Sequence, residues 1–196
     1  VSRNFQMMGT FVSIKVSAPK SATAAAMIEQ AAAEMRRIER LCSSYIPESY
    51  LSRLNRQPPG EPLKIKKKER DIMEVLQLSR QISELSGGAF DITYASVGDF
   101  WDFDPENPRL PTREEIEPAI ERIDYRKVVI DQEEPSVALR GEGTRIGLGG
   151  IAKGYAVDKA VEYLREQDVT GALINAGGDI YAMGHKYRGA WGSDPQ

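Results

Sequence analysis

The chain has almost no thiol or imidazole chemistry, with one cysteine, Cys42, and one histidine, His185. A disulfide within the chain is excluded, and so is a metal site built on cysteines. The same scarcity disfavours zinc. A thiol nucleophile would want His185 as its base; against that stands the reading of Cys42 as a small buried apolar residue at the end of a helix. Charge of one sign is lacking too. The net charge is −3 with both signs mixed along the chain, so no nucleic-acid surface is expected. The one basic run, residues 64–70 (KIKKKER), reads as a solvated face ahead of a helix. No apolar run is long enough to span a membrane, and no stretch reads as a signal peptide. The chain opens Val1-Ser2-Arg3 without a Met, and residues 191–196 end it without a terminating element. A processed or trimmed form is expected, and the compartment stays open.

What is present reads as a folded protein. Of 196 residues, 41% are hydrophobic and 28% charged, enough for one large domain or two small lobes with a real core. Residues 4–17 alternate and are rich in β-formers, which predicts a strand, with Gly9 marking a bulge or a close backbone approach. Ser21 is a candidate N-cap for a helix over 22–42, which places Ile28, Ala32, Met35, Ile38 and Cys42 on one face. A short helix over 48–54 leads to the Pro58-Pro59-Gly60 turn. A helix over about 67–85 follows, with Ile72, Val75, Leu76, Ile82 and Leu85 on one face and Gly87-Gly88 ending it. Thr112 and Glu115 form a capping box for a helix over about 113–123. Residues 125–130 and 136–140 read as a hairpin, and 170–174 and 180–183 as further strands. The expected class is α+β, with mixed or mainly antiparallel sheets and packed helices.

Two stretches carry chemistry. In residues 145–158 (RIGLGGIAKGYAVD) a short apolar strand over 146–148 is expected to turn on glycine into a helix over 151–164. The unpaired N–H groups and dipole of a helix N-terminus favour an anion, and Lys153 in the first turn opposes that dipole by itself. The stretch therefore reads either as a cradle for a phosphate-bearing ligand or as a tight connection with Lys153 in solvent. Gly147, Gly149 and Ala152 also satisfy the dinucleotide fingerprint, but a hairpin precedes the loop instead of a leading βαβ unit, which disfavours a nicotinamide dehydrogenase. The second stretch, residues 87–101 (GGAFDITYASVGDFW), fits neither a helix nor a clean strand, and its glycines, Asp91 and aromatics suit a functional loop.

Six short motifs in order give the chain a resemblance. They are Met8-Gly9-Thr10; Ser44-Tyr45 with Ser49, Leu51-Ser52 and Leu54-Asn55; Gly87 to Thr93; Trp101 with Phe103; Gly149 to Tyr155 with Asp158; and Asn175 to Asp179. In this series the chain resembles the ApbE family of FAD:protein FMN transferases, formerly thiamine biosynthesis lipoproteins. The resemblance covers essentially the whole chain and implies one ApbE-like domain over 1–196, in a family that continues past Gln196 with further metal ligands. It implies a magnesium-dependent transferase that cleaves FAD, moves FMN to a threonine of an acceptor redox protein and releases AMP. A non-catalytic FAD-binding protein and an FAD pyrophosphatase are the alternatives. Carried over by position, the flavin-binding residues are Met8, Tyr45, Ala89, Phe90, Asp91 and Lys153. Gly150 would offer a backbone carbonyl to Mg2+, and no catalytic residue is assigned. Core packing competes with ligand binding at Met8, Tyr45 and Phe90, and Asp179 reads as a brace. Many members carry an aspartate where this chain has Gly147. The resemblance also implies a periplasmic or membrane-anchored extracytoplasmic setting, through a lipid anchor outside this chain.

Overall fold

The computed structural model describes residues 1–100, 106, 108 and 110–184. Trp101, Phe103, His185 and residues 191–196 lie outside the described residues. The chain forms two compact units, Val1–Glu39 with Ala152–Gln196, and Arg40–Ile151. The class is α+β, and every strand pair among the described residues is antiparallel.

The first unit is built on a four-stranded sheet, β1 (Ser2–Met7), β2 (Thr10–Ser17), β6 (Gly171–Ala176) and β7 (Asp179–Gly184), in spatial order β1-β2-β6-β7. Period-two alternation buries Val12, Ile14 and Val16 of β2 and Ile174 and Ala176 of β6 on one face. Burying each of the four branched side chains among them is worth about 2 kcal/mol. The other face keeps Phe11, Leu173 and Ile180 exposed. Helix α5 (Ala152–Arg165) packs against β6 and β7 and buries Ala152, Ala156 and Ala160 together with the larger Tyr155, Val157, Val161 and Leu164. Helix α1 (Ser21–Cys42) buries Ile28, Ala31, Ala32, Met35 and Ile38, the face its periodicity predicts. Arg3 pairs with Glu29 at 2.7 Å, and the Arg36 guanidinium lies 5.2 Å from the Phe5 ring centre, which ties β1 to α1. The Ala24 N–H donates to the Lys20 carbonyl, so Ser21 is the first helical residue rather than the cap.

The expected single strand over 4–17 is two strands. The chain reverses at Met8-Gly9, with Met7 paired to Thr10. Alternation survives such a reversal, because the side-chain period is the same on both arms of a hairpin. The missing cue is chemical: two-residue turns favour Asn-Gly, and Met-Gly does not announce one.

The second unit carries a smaller sheet, β3 (Leu63–Lys64), β5 (Ser136–Leu139) and β4 (Val128–Asp131), in the order β3-β5-β4. Around it stand α2 (Tyr50–Leu54), α3 (Asp71–Leu85) and α4 (Arg113–Ile120). Both halves of the Thr112–Glu115 capping box are formed. In α3 the buried face is Ile72, Val75, Leu76, Ser79 and Ser83, while Leu85, expected on that face, is 88% exposed. The two serines lie on the buried face at i+4 spacing because their hydroxyls donate back to the Val75 and Ser79 carbonyls, at 2.7 and 2.9 Å. Residues 92–100, which fitted no regular pattern, form a 3-10 helix, Ile92–Phe100.

Candidate functional site

The candidate residues divide between the units. In the first, Met8 and Gly9 form the whole β1–β2 turn, with φ of 54° and 67°. Glycine takes that left-handed conformation freely; methionine takes it at a cost of order 1 kcal/mol. The Met8 N–H donates to Glu39 Oε1 at 2.6 Å, a charge-assisted bond that holds the strained residue in place. The Met8 side chain is half-buried at the tip of the hairpin. Lys153 sits in the first turn of α5, as its sequence position predicts, and its Nζ lies 3.9 Å from Asp179 Oδ2 at the start of β7. Both side chains are partly open to solvent, so this long ion pair is weak and leaves the ammonium able to meet another anion.

In the second unit, α3 ends in a Schellman motif: the Gly88 N–H donates to the Ser83 carbonyl at 2.8 Å, and the Gly87 N–H to the Glu84 carbonyl at 3.2 Å. Both glycines have positive φ, 62° and 86°. Ser86 then receives the next two N–H groups, Ala89 on its carbonyl and Phe90 on its hydroxyl. Asp91 opens the 3-10 helix. Its Oδ1 accepts the Thr93 N–H and hydroxyl at 2.7 and 2.6 Å, and its Oδ2 accepts the Tyr125 N–H at 2.8 Å. The Thr93 hydroxyl in turn accepts the Asp124 N–H at 2.7 Å. The Asp91 carboxylate is thus largely committed to holding the loop, and Ala89, exposed, and Phe90, half-buried, are what the loop displays.

Tyr45 is displayed on a loop knitted by serines. Ser43 Oγ accepts the Tyr45 N–H, while Ser49 and Ser52 hydroxyls donate to the Ser43 and Ser44 carbonyls. The Tyr45 side chain is 94% exposed, which rules out core packing.

Residues 146–148 are not a strand. The Ile146 N–H and carbonyl both bond the Asn55 side-chain amide, at 2.9 Å each. The Arg145 N–H and carbonyl both bond Ser96 Oγ, and the Gly147 N–H donates to the Ile92 carbonyl. Two side chains do here what a neighbouring strand would do, so the backbone of this segment is satisfied without belonging to a sheet. With this and the antiparallel pairing, the βαβ context of a dinucleotide fingerprint is missing among the described residues. A Cβ on Gly147 would stand 2.8 Å from the Tyr94 hydroxyl, and one on Gly150 would meet Phe90 at 3.5 Å. The structure therefore brings Phe90 and Gly150 together, and Gly147 is glycine because Tyr94 fills its space.

Cys42 is buried, and its thiol is pushed up to about 12 by burial first and by the Asp71 carboxylate second, which rules it out as a nucleophile near neutral pH. Among the described residues no three of His, Cys, Asp or Glu cluster to hold a metal. The Gly150 carbonyl is one oxygen where magnesium takes six, so these residues do not form a magnesium site by themselves. No helix among them is long and apolar enough to cross a membrane. Asn55, Ser96, Glu39 and Tyr94 are not among the sequence-predicted site residues; Asn55 carries a signal as part of a motif, and Tyr94 as one of the aromatics of the 87–101 loop.

The ApbE family model matches residues 8–192. The FAD:protein FMN transferase of Treponema pallidum (strain Nichols) is 28% identical over 192 residues, 95% of this chain and 52% of the relative. That of Klebsiella pneumoniae (strain 342) is 26% identical over 178 residues, 91% of this chain and 54% of the relative. Among solved structures, the ApbE protein of Thermotoga maritima superposes with a TM-score of 0.85 at 31% identity, covering 95% of this chain and 60% of its own. The apo flavinyl transferase ApbE of Pseudomonas stutzeri shares the fold, with a TM-score of 0.80 at 24% identity over 95% of this chain and 59% of its own. The chain spans about half the length of the curated relatives it matches.

Proposed function

The chain belongs to the ApbE family, and from that premise we propose that it acts in flavin transfer: FAD is cleaved at its pyrophosphate, FMN passes to a threonine hydroxyl of an acceptor protein, and AMP leaves. The observation that carries this reading is the family match over residues 8–192, with relatives named FAD:protein FMN transferase. Transfer of this kind needs the ligand held and its charge offset more than it needs covalent help from the protein.

Each unit has groups suited to that task. In the first, Lys153 offers a positive charge to a phosphate and Met8 a thioether side chain to a flat ring. In the second, Tyr45 is an exposed aromatic, the Ala89–Phe90 backbone is presented by the α3 terminus, and Phe90 lies against Gly150. Asp91 acts by shaping that loop. Magnesium dependence and the Gly150 carbonyl as a ligand belong to this proposal; the other oxygens would come from outside the described residues. An acceptor that is a redox protein, and an extracytoplasmic, lipid-anchored setting, are likewise proposed on the resemblance.

The test is to incubate the chain with FAD, magnesium and a threonine-containing acceptor peptide, reading AMP release and peptide flavinylation. Both products are expected. Neither product, with FAD binding that EDTA leaves unchanged, would put a non-catalytic flavin-binding role in place of transfer. AMP and free FMN without flavinylated peptide would make the activity an FAD pyrophosphatase.

A further inference from the structure

The glycine loop at 147–150 is covered by two aromatic side chains of the second unit, and they cover it differently. Phe90 meets Gly150 with a ring carbon, 3.5 Å from where a Cβ would be. Tyr94 meets the loop with its hydroxyl, 2.8 Å from the Cβ position of Gly147 and 3.8 Å from that of Gly149. Packing over glycine needs only a ring, as Phe90 shows. The hydroxyl is an addition, and it is not consumed by the fold: among the described residues no hydrogen-bond partner stands against it, and Tyr94 is 49% exposed. The N–H and carbonyl groups of Arg145 and Ile146 and the Gly147 N–H are already taken, by Ser96, Asn55 and Ile92. Gly147 contributes no side chain. The side-chain polar group that faces Gly147 and Gly149 is the Tyr94 phenol, a donor that forms shorter and stronger bonds to an ionised oxygen than to a neutral one.

Building on the flavin-transfer reading, we infer that the Tyr94 hydroxyl is a ligand-binding group of this site that donates a hydrogen bond to a phosphate oxygen of the FAD diphosphate. The residue holds the phosphate chain at the glycine loop; it takes and gives no proton in the reaction.

Tyr94→Phe isolates the hydroxyl, since the ring and its packing remain. FAD affinity of the wild-type and variant chains is measured by titration, together with competition by ADP, which carries a diphosphate and no flavin, and urea unfolding of both proteins. The expected result is an unchanged unfolding midpoint and a loss of about five- to tenfold in affinity for FAD and for ADP alike. Equal affinity of variant and wild type for FAD overturns the inference and leaves the flavin reading intact. A loss for FAD without a loss for ADP, or no ADP competition in the wild type, also overturns it, because the hydroxyl would then not face the phosphates. No FAD binding by the wild type rejects both the flavin reading and the inference. A lowered unfolding midpoint with unchanged ligand affinity makes the hydroxyl structural.

Discussion

The two units present their candidate residues by different means. In the first unit, Met8 and Lys153 stand at the ends of regular elements, a hairpin tip and the first turn of α5, and each is steadied by one carboxylate, Glu39 or Asp179. In the second, the candidate segments are irregular backbone, and side chains distant in sequence hold them: Asn55 on Ile146, Ser96 on Arg145, Asp91 on Tyr125. A residue at the end of a regular element can change without disturbing what positions it. Irregular backbone has no ladder of its own, so a side chain that replaces the ladder cannot be removed cheaply. Substitutions in the first unit should therefore separate binding from stability, and so should a displayed group such as the Tyr94 hydroxyl, whereas substitutions of the side chains that hold irregular backbone in the second unit should not.

The sharpest way to break this contrast is Asn55→Ala. It strips two bonds from the Ile146 backbone at a buried position, and the expected loss is about 3 kcal/mol of unfolding free energy, read in urea. A loss below about 0.5 kcal/mol, within the range of an ordinary surface change, would mean that the loop holds itself. Thr93→Val comes next. It removes the hydroxyl that links the Asp124 N–H to Asp91, leaves that N–H unpaired, and should cost about 2 kcal/mol with a parallel loss of FAD binding. Stability lost with binding untouched would detach the Asp91 loop from the ligand site.

Lys153→Ala should do the reverse. Its ion pair is long and partly exposed, so unfolding should shift by no more than about 0.5 kcal/mol. FAD affinity should fall about tenfold if the ammonium meets phosphate. Unchanged affinity would return Lys153 to a solvent-exposed role. The smallest effect is also the most diagnostic. Met8→Gly removes a left-handed methionine, φ 54°, and should stabilise the hairpin by about 0.5 kcal/mol while weakening FAD binding. If both quantities rise together, or both fall, the turn is not strained in favour of the side chain it displays.

Much of the fold could be read from local pattern. The α1 face, the Thr112 capping box and the Gly87-Gly88 terminus of α3 are encoded within a few residues of where they act, and each forms as its sequence predicts. The errors have particular causes. The Met8-Gly9 reversal leaves the alternation intact and lacks the usual turn residues. Leu85 looked like core because it is apolar, but the buried stripe of α3 runs through Ser79 and Ser83, whose hydroxyls are satisfied inside the helix. The lead into the glycine loop reads as a strand because residues 146–148 are apolar, and the side chains that bond its backbone in place of a neighbouring strand are far away in sequence.

The sequence by itself determined the elements and the motifs that place this chain in its family, because periodicity, caps and glycine termini are set by interactions a few residues long. Tertiary structure alone decided which groups stand free at the site. Asn55 reaches Ile146 across 91 residues, Asp91 spends its carboxylate on Thr93 and Tyr125, and among the described residues no side chain takes up the Tyr45 or Tyr94 hydroxyl. A polar side chain in a sequence carries the same bonding capacity whether it ends up holding a loop or facing a ligand. Only the packed fold, by supplying or withholding a buried partner, chooses between the two.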